Sequence, residues 1–308
     1  MNANFDVNFN LDSAATHKYG FIGTEWDLGG CIGPSGQRTG PMAVRKAMQL
    51  AWNYVRDNKI FDIESNRVVD LSDMKIIDYG NITDYLVTDW QYTNDKIAEN
   101  VSKVIRDGCI PVVVGGDCSI HYPALKATHD TCEGDVGIIY MDAHCDFFND
   151  LARYGDLSHG HPCGNIMKLP RVKGENVIHF GIRAYEKPIF YDYIKEHGSH
   201  VMTPQTFYKL GIEAAANKAL EILQNKTEKF IIAVDVDVFE TCVAPGSAGP
   251  EVGGFSSYDL QEFLKILAPK AAGFTLTEVN QMTDVGGRTA VLAAKLFNDY
   301  IIYNYAAK

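Results

Sequence analysis

The sequence predicts an α/β fold in which a mainly parallel sheet is covered by helices on both faces. Three observations lead there. Short apolar runs recur along the chain, segments with helical apolar periodicity lie between them, and candidate metal ligands follow directly on two of the runs. In chain order, strands are expected near Phe21 (GFIG), near Ile76 (KIID), at Pro111 to Val114 (PVVV) and at Val136 to Ile139 (VGII). Further strands are expected at Val177 to Phe180 (VIHF), Phe230 to Val234 (FIIAV) and Phe274 to Leu276 (FTL). Helical patterns begin at Pro41 and near Ile97, and run from Gly211 to Gln224 and from Tyr258 to Leu267. Strand and helix alternating in this way imply parallel strands joined by helical crossovers.

With 308 residues, 46% of them hydrophobic, the chain is long enough for one large core. No proline- or glycine-rich linker divides it, so residues 1–308 read as a single domain. A net charge of −11 argues against nucleic acid or an anionic membrane as partner. No apolar run reaches the ~18 residues of a membrane span, and the acidic start MNANFDVNFN does not resemble a signal peptide. A cytoplasmic protein is expected. Seven cysteines at irregular spacing suggest no disulfide framework.

The chemistry concentrates at two strand ends. Tyr140-Met141-Asp142-Ala143-His144-Cys145-Asp146 follows the fourth strand, where open α/β sheets place their sites. In an extended segment, residues two apart point to one side, so Asp142, His144 and Asp146 are expected to face one way and Cys145 the other. The run Phe230 to Val238 repeats the arrangement with Asp235 and Asp237. Four buried carboxylates left unpaired would cost several kcal/mol each, so they would take up protons or bind cations. Two divalent ions would nearly balance them, and oxygen-rich ligands with one or two nitrogens suit Mn²⁺ or a similar ion. A single D-x-D is more often a loop or a helix cap. Two such runs, each closing an apolar strand, favour a shared metal site.

These residues resemble the ureohydrolase family of arginases and agmatinases, and more closely its agmatinase-like branch. The resemblance covers most of the chain. It begins at Gly40-Pro41-Met42-Ala43-Val44-Arg45 and continues through Gly115-Gly116-Asp117-Cys118-Ser119, the D-A-H-x-D run and Ser158-His159-Gly160-His161-Pro162. Phe180-Gly181-Ile182-Arg183, Asp235-Val236-Asp237, Ala244 to Gly254 and Thr277-Glu278-Val279-Asn280 complete it. The resemblance implies a three-layer α/β/α domain, two divalent metals (usually Mn²⁺), and hydrolysis of a guanidinium group to urea and an amine. It implies that Asp142 and Asp235 bridge both ions, that Asp146 binds one only, and that His144 and Asp237 bind the other. It casts His159 as the histidine that passes a proton to the leaving amine or steers the substrate, and Glu278 as the carboxylate that pairs with the guanidinium. A homotrimer or homohexamer is the corresponding expectation.

Elementary chemistry supports each role. The guanidinium carbon is a poor electrophile, and two ions sharing a water would lower its pKa from ~15.7 towards ~7, providing a metal-bridging hydroxide. Glu278 could hold the planar guanidinium by bidentate pairing. A histidine titrating near neutrality, here His159, suits proton delivery.

The chain departs from the family pattern in four places. Cys118 stands where the motif G-G-D-H-S has its histidine, so the first metal would meet a softer ligand that admits Zn²⁺, Fe²⁺, Co²⁺ or Ni²⁺. If Cys118 stays a thiol, the first site is weak or empty. That leaves an alternative reading, a metal-impaired relative that binds a guanidino ligand or a protein partner without turnover. Glu240 replaces the last aspartate of D-x-D-x-x-D-P, and Gln281 replaces a proline after Glu278, which leaves the ligands but alters the loops. Phe148, followed by Asn149, occupies the place where arginases carry an asparagine that holds the arginine carboxylate. A small guanidine other than arginine is therefore expected: agmatine, guanidinobutyrate, guanidinopropionate or a modified guanidine.

Arg153 and Lys168 lie near the relevant loops but read first as solvated charges. Gly29 to Gly36 lacks the Lys-Ser/Thr of a phosphate-binding loop and reads instead as a loop at the active-site rim. The stretch Ala244 to Gly254 reads as pocket wall. Cys163 reads as a core residue before a pocket-lining one. A deacetylase, which also carries a D-x-H run, is disfavoured by the missing tandem histidines.

Overall fold

A computed structural model describes residues 15–30, 33–147 and 155–307. Its strands are β1 His17–Thr24, β2 Lys59–Asp62, β3 Arg67–Asp70, β4 Met74–Ile82, β5 Ile110–Val114, β6 Val136–Met141, β7 Val177–Phe180, β8 His200–Met202, β9 Lys229–Asp235 and β10 Gly273–Thr277. Helices α1 Gly40–Trp52, α2 Trp90–Arg106, α3 His121–Asp130, α4 Pro162–Ile166, α5 Pro188–Glu196, α6 Pro204–Leu210, α7 Ile212–Gln224, α8 Ser257–Leu267 and α9 Arg288–Ala306 connect and flank them. Eight strands form one sheet in the order β4-β1-β5-β10-β9-β6-β7-β8, every neighbouring pair parallel. The expected α/β architecture is therefore present.

The strands read as apolar runs because both faces of the sheet are covered. Along β6, Ile139 and Met141 join the core beneath α1 and α7–α9, while Val136, Ile138 and Tyr140 join the core beneath α4 and α5. On β9, Phe230, Ile232 and Val234 alternate with Ile231 and Ala233 in the same way. Nearer the other edge, Val113 of β5 packs with Ile97 and Val101 of α2 and with Ala124 of α3. These are the three layers.

Chain order creates the crevice that the site uses. From β5 the chain crosses to β6, and the gap between them is later filled by β9 and β10. This change of direction opens a cleft beyond the carboxyl ends of four adjacent central strands, the usual place for a ligand in an open parallel sheet. The glycine at the end of β5 is required there, since a methyl group on Gly116 would overlap the Trp26 carbonyl. Arg45, part of the first family-like motif, serves the architecture and not the cleft. It pairs with Asp78 of β4 at 2.9 Å and lies 4.8 Å from the Phe21 ring centre.

Several elements go beyond the sequence expectation, helices α3 to α6 among them. The antiparallel hairpin β2–β3 lies outside the main sheet, and its four-residue strands, KIFD and RVVD, show no apolar–polar alternation. Strand β8 has three residues, too short for a periodic signal. Helix α9 is buried around most of its circumference, so no polar stripe marks it.

Candidate metal centre and active site

Four loops meet above the central strands. The turn after β5 carries Cys118, that after β6 carries Asp142, His144 and Asp146, the end of β9 carries Asp235 and Asp237, and the turn after β10 carries Glu278. His159, just before α4, completes a cavity of about 320 Å³ that all eight of these residues line. Every predicted site residue thus reaches one pocket.

The route differs from the expected extended alternation. Strand β6 stops at Met141, the chain bends at Ala143 and His144, and Asp146 has φ +52°. The Asp142 carboxylate accepts from the backbone N–H of His144 at 2.6 Å, which tightens the bend. Beyond β9 the chain forms a 3₁₀ turn, Val236–Val238, capped by Asp235 accepting from the Asp237 N–H at 2.8 Å. A local turn, in which the aspartate satisfies a free N–H, therefore does what pleating was expected to do. Cys145 still points into the core, as expected, and Cys163 packs there as well.

His144 Nδ1 lies 2.9 Å from Asp237 and 3.4 Å from Asp142, and the three residues present ligand atoms within 4.8 Å of one another. Cys118, His159 and Glu278 form a second such group. Burial, reinforced by Asp237, pushes the Asp142 carboxyl up to about 7. Burial and neighbouring carboxylates also push Asp146 and Asp235 well above the ordinary range. Burial opposes charge on His144, but its contacts with Asp142 and Asp237 prevail and raise it to about 12. A proton there stands in for the positive charge that the site demands. Asp142 Oδ2 is buried and accepts no hydrogen bond from the described residues. A divalent cation would satisfy that oxygen, displace the imidazole proton and relieve the repulsion among carboxylates, so the donor set fits divalent metal binding.

Cys118 departs from the pattern in geometry as well as identity. Its Sγ–H donates to the His159 carbonyl at 2.8 Å, and burial together with Asp146 and Glu278 raises the thiol well above its ordinary range. Without a cation it is a thiol. The nearby His121 does not replace the missing imidazole, because its ring nitrogens meet Thr275 Oγ1 at 2.7 Å and Thr277 Oγ1 at 2.9 Å beneath the site.

His159 differs from expectation too. Burial, with a contribution from His144, lowers it to about 4 rather than leaving it near neutrality. Glu278 has φ +67°, and its two oxygens accept from the Cys118 N–H and from Gln37 Nε2, each at 2.9 Å. Burial and Asp117 raise its carboxyl to about 8.

Residues 17–302 match the profile of the arginase family. The chain belongs to the arginase family. A proclavaminate amidinohydrolase from Streptomyces clavuligerus is 28% identical over 92% of this chain and 87% of its own. A formimidoylglutamase from Bacillus subtilis (strain 168) is 30% identical over 71% of this chain and 69% of its own. The crystal structure of arginase from Bacillus subtilis superposes with a TM-score of 0.78 at 28% identity, covering 92% of this chain and 98% of that one. Three similar proteins carry three different substrate names. Family membership supports a hydrolase and leaves the substrate open.

The sequence assigns no role to Gln37, Tyr140, Glu186 or Phe190. Glu186, Phe147 and Phe190 line the cavity. Arg183, visible in the sequence only as part of a motif, donates to the carbonyls of Asp237 at 2.7 Å, Glu251 at 2.6 Å and Val252 at 2.9 Å, tying the β9 turn to the Ala244–Gly254 loop. That loop contributes Ala248 and Gly249 to the wall, and Gly33 lines the cavity from the Gly29–Gly36 loop. Glu240 takes up the role of a loop clamp, accepting from the Gly253 and Gly254 N–H groups at 2.7 and 3.1 Å. Lys168 pairs with Asp156 at 3.1 Å on the surface. Phe148, Asn149 and Arg153 lie outside the described residues. No helix among the described residues is long and apolar enough to cross a membrane.

Proposed function

We propose that this protein is a metal-dependent amidinohydrolase that cleaves a small guanidine, of the agmatine type, to urea and an amine. The observation that carries the reading is the convergence of Asp142, His144, Asp146, Asp235, Asp237 and Cys118 with Glu278 and His159 on one cavity. Two divalent cations, Mn²⁺ first and Ni²⁺, Co²⁺, Fe²⁺ or Zn²⁺ with Cys118 as ligand, would be held by those six residues and would supply positive charge and an acidified water.

The protein's own groups define the rest. Each Glu278 oxygen spends one lone pair on a fixed donor, Cys118 N–H or Gln37, and keeps another for a guanidinium nitrogen. The arriving cation would favour the ionised carboxylate. His159, uncharged at neutral pH, can accept a proton and return it to the leaving amine. Elsewhere in the cavity lining, Phe147 and Phe190 offer apolar walls and Glu186 a carboxylate, while the described lining residues include no Lys or Arg. An apolar tail ending in a cation matches these groups better than one ending in a carboxylate, which favours agmatine over guanidinobutyrate and guanidinopropionate.

The thiol contact from Cys118 to the His159 carbonyl supports a second reading, in which the first metal site is weak and the protein binds a guanidine without turnover. Residues 1–308 are proposed to act as one domain, in the cytoplasm. A homotrimer or homohexamer is proposed on the family resemblance alone. The test is metal content paired with urea release from a panel of guanidines after loading with Mn²⁺, Ni²⁺, Co²⁺ or Zn²⁺. Two ions per chain and urea from agmatine are expected. No urea under any condition, with none restored by Cys118→His, would leave the binding reading.

A further inference from the structure

The Tyr140 hydroxyl donates to Asp146 Oδ2 at 2.5 Å, a short link between the interior of the sheet and a carboxylate of the pocket. Tyr140 is fully buried on β6, on the face that carries Val136 and Ile138. Its ring is held edge-on against His121, with centroids 5.2 Å apart, and lies 6.4 Å from His179. It has no room to swing away. Because the chain bends back after Met141, Asp146 returns over its own strand, six residues after the tyrosine that receives it.

We propose that Tyr140 is a positioning residue that acts through Asp146. By donating to Oδ2 it takes one lone pair there and fixes the direction of the carboxylate, so that Oδ1 is the less encumbered oxygen for a cation and Asp146 is a ligand of fixed orientation. This inference rests on the reading of Asp146 as a ligand of one metal only, and it predicts an asymmetric effect. Hydrogen-bond partners of a ligand orient it and tune its basicity, and their loss typically weakens metal binding by about 10- to 100-fold. Here the loss falls on the ion that shares Asp146 and spares the ion held by His144 and Asp237.

The experiment is equilibrium Mn²⁺ binding to the full-length wild type and to Tyr140→Phe, which keeps the ring and removes only the hydroxyl. Stepwise affinities are measured by metal analysis over graded free Mn²⁺, and urea unfolding of the metal-free proteins is measured alongside. The expected result is one site weakened by about 10- to 100-fold and the other unchanged, with kcat recovering at saturating Mn²⁺ and KM unchanged. Equal affinities in both proteins overturn the inference while leaving the metal reading intact. Both sites weakening together with a loss of metal-free stability overturns it in favour of a packing role. A wild type that binds no divalent ion overturns the metal reading and the inference with it. If Tyr140→Phe does not fold, a fluorinated tyrosine at position 140, a stronger donor of nearly the same shape, is expected to tighten the same single site, and no change overturns the inference.

Discussion

His121 shows how much one buried side chain can make of its surroundings. Burial lowers it to about 3, against ~6.5 for a free imidazole, while Thr275 and Thr277 bond both ring nitrogens of the neutral form. As the pH falls the unfolded chain takes the proton first, so this contribution to stability is complete above ~6.5 and drains away towards pH 3. His121→Gln can hydrogen-bond but cannot titrate. Urea unfolding of the two proteins is expected to show their stability gap closing by about 1.4 kcal/mol per pH unit between pH 6 and pH 4. A gap that stays constant would mean that His121 is protonated in the folded state. The same scale explains Cys118: the position was visible in the sequence, but the direction of its S–H was not, because that depends on where the His159 carbonyl lies.

At the scale of elements, the site is a set of turns fastened to strand ends. Arg183 fastens two of them by donating to carbonyls on both the β9 turn and the Ala244–Gly254 loop. A lysine could reach one carbonyl but lacks the planar fork that serves several at once. Arg183→Lys is expected to lower the unfolding free energy by about 2–3 kcal/mol, the order of one or two lost charge-assisted hydrogen bonds, and to release metal from the Asp237 side on dialysis. An unchanged midpoint in denaturant together with full metal content would remove Arg183 from this role. The hairpin β2–β3 is illegible in the sequence because each four-residue strand carries two adjacent apolar residues, Ile60-Phe61 and Val68-Val69, of which only Val69 is buried, so no alternation marks them as strands.

Across the whole molecule, the central feature is a core that stores acidic groups. Asp142 is raised to about 7 and Glu278 to about 8, so in the metal-free protein they favour folding when protonated. That contribution is present below ~4 and is lost as the pH climbs through their folded values. Cations bind the ionised form, so their stabilising effect grows over the same interval. At a thousandfold excess over Kd, linkage supplies about 4 kcal/mol, or on the order of 10 °C in Tm. The difference in Tm between Mn²⁺-loaded and chelator-treated protein is expected to widen from pH 5 to pH 8. A difference of zero at pH 8 for every divalent ion tried would contradict a metal centre.

The sequence by itself determined the layered fold, because strands buried on both faces must be apolar throughout and their crossovers must be amphipathic. The strand-end pattern also brings forward Asp142, His144, Asp146, Asp235 and Asp237 as candidate ligands, because two such runs each closing an apolar strand favour a shared metal site, whereas Cys118, His159 and Glu278 enter through the family resemblance. Tertiary structure alone decided how they meet. Asp146 and Glu278 take left-handed backbone conformations, and β9 and β10 arrive late in the chain to fill the gap between β5 and β6. It also decided the supporting contacts of Tyr140, Gln37 and Arg183, and the low pKa of His159. Hydrogen-bond direction and burial belong to neighbours distant in sequence, and local pattern does not encode them.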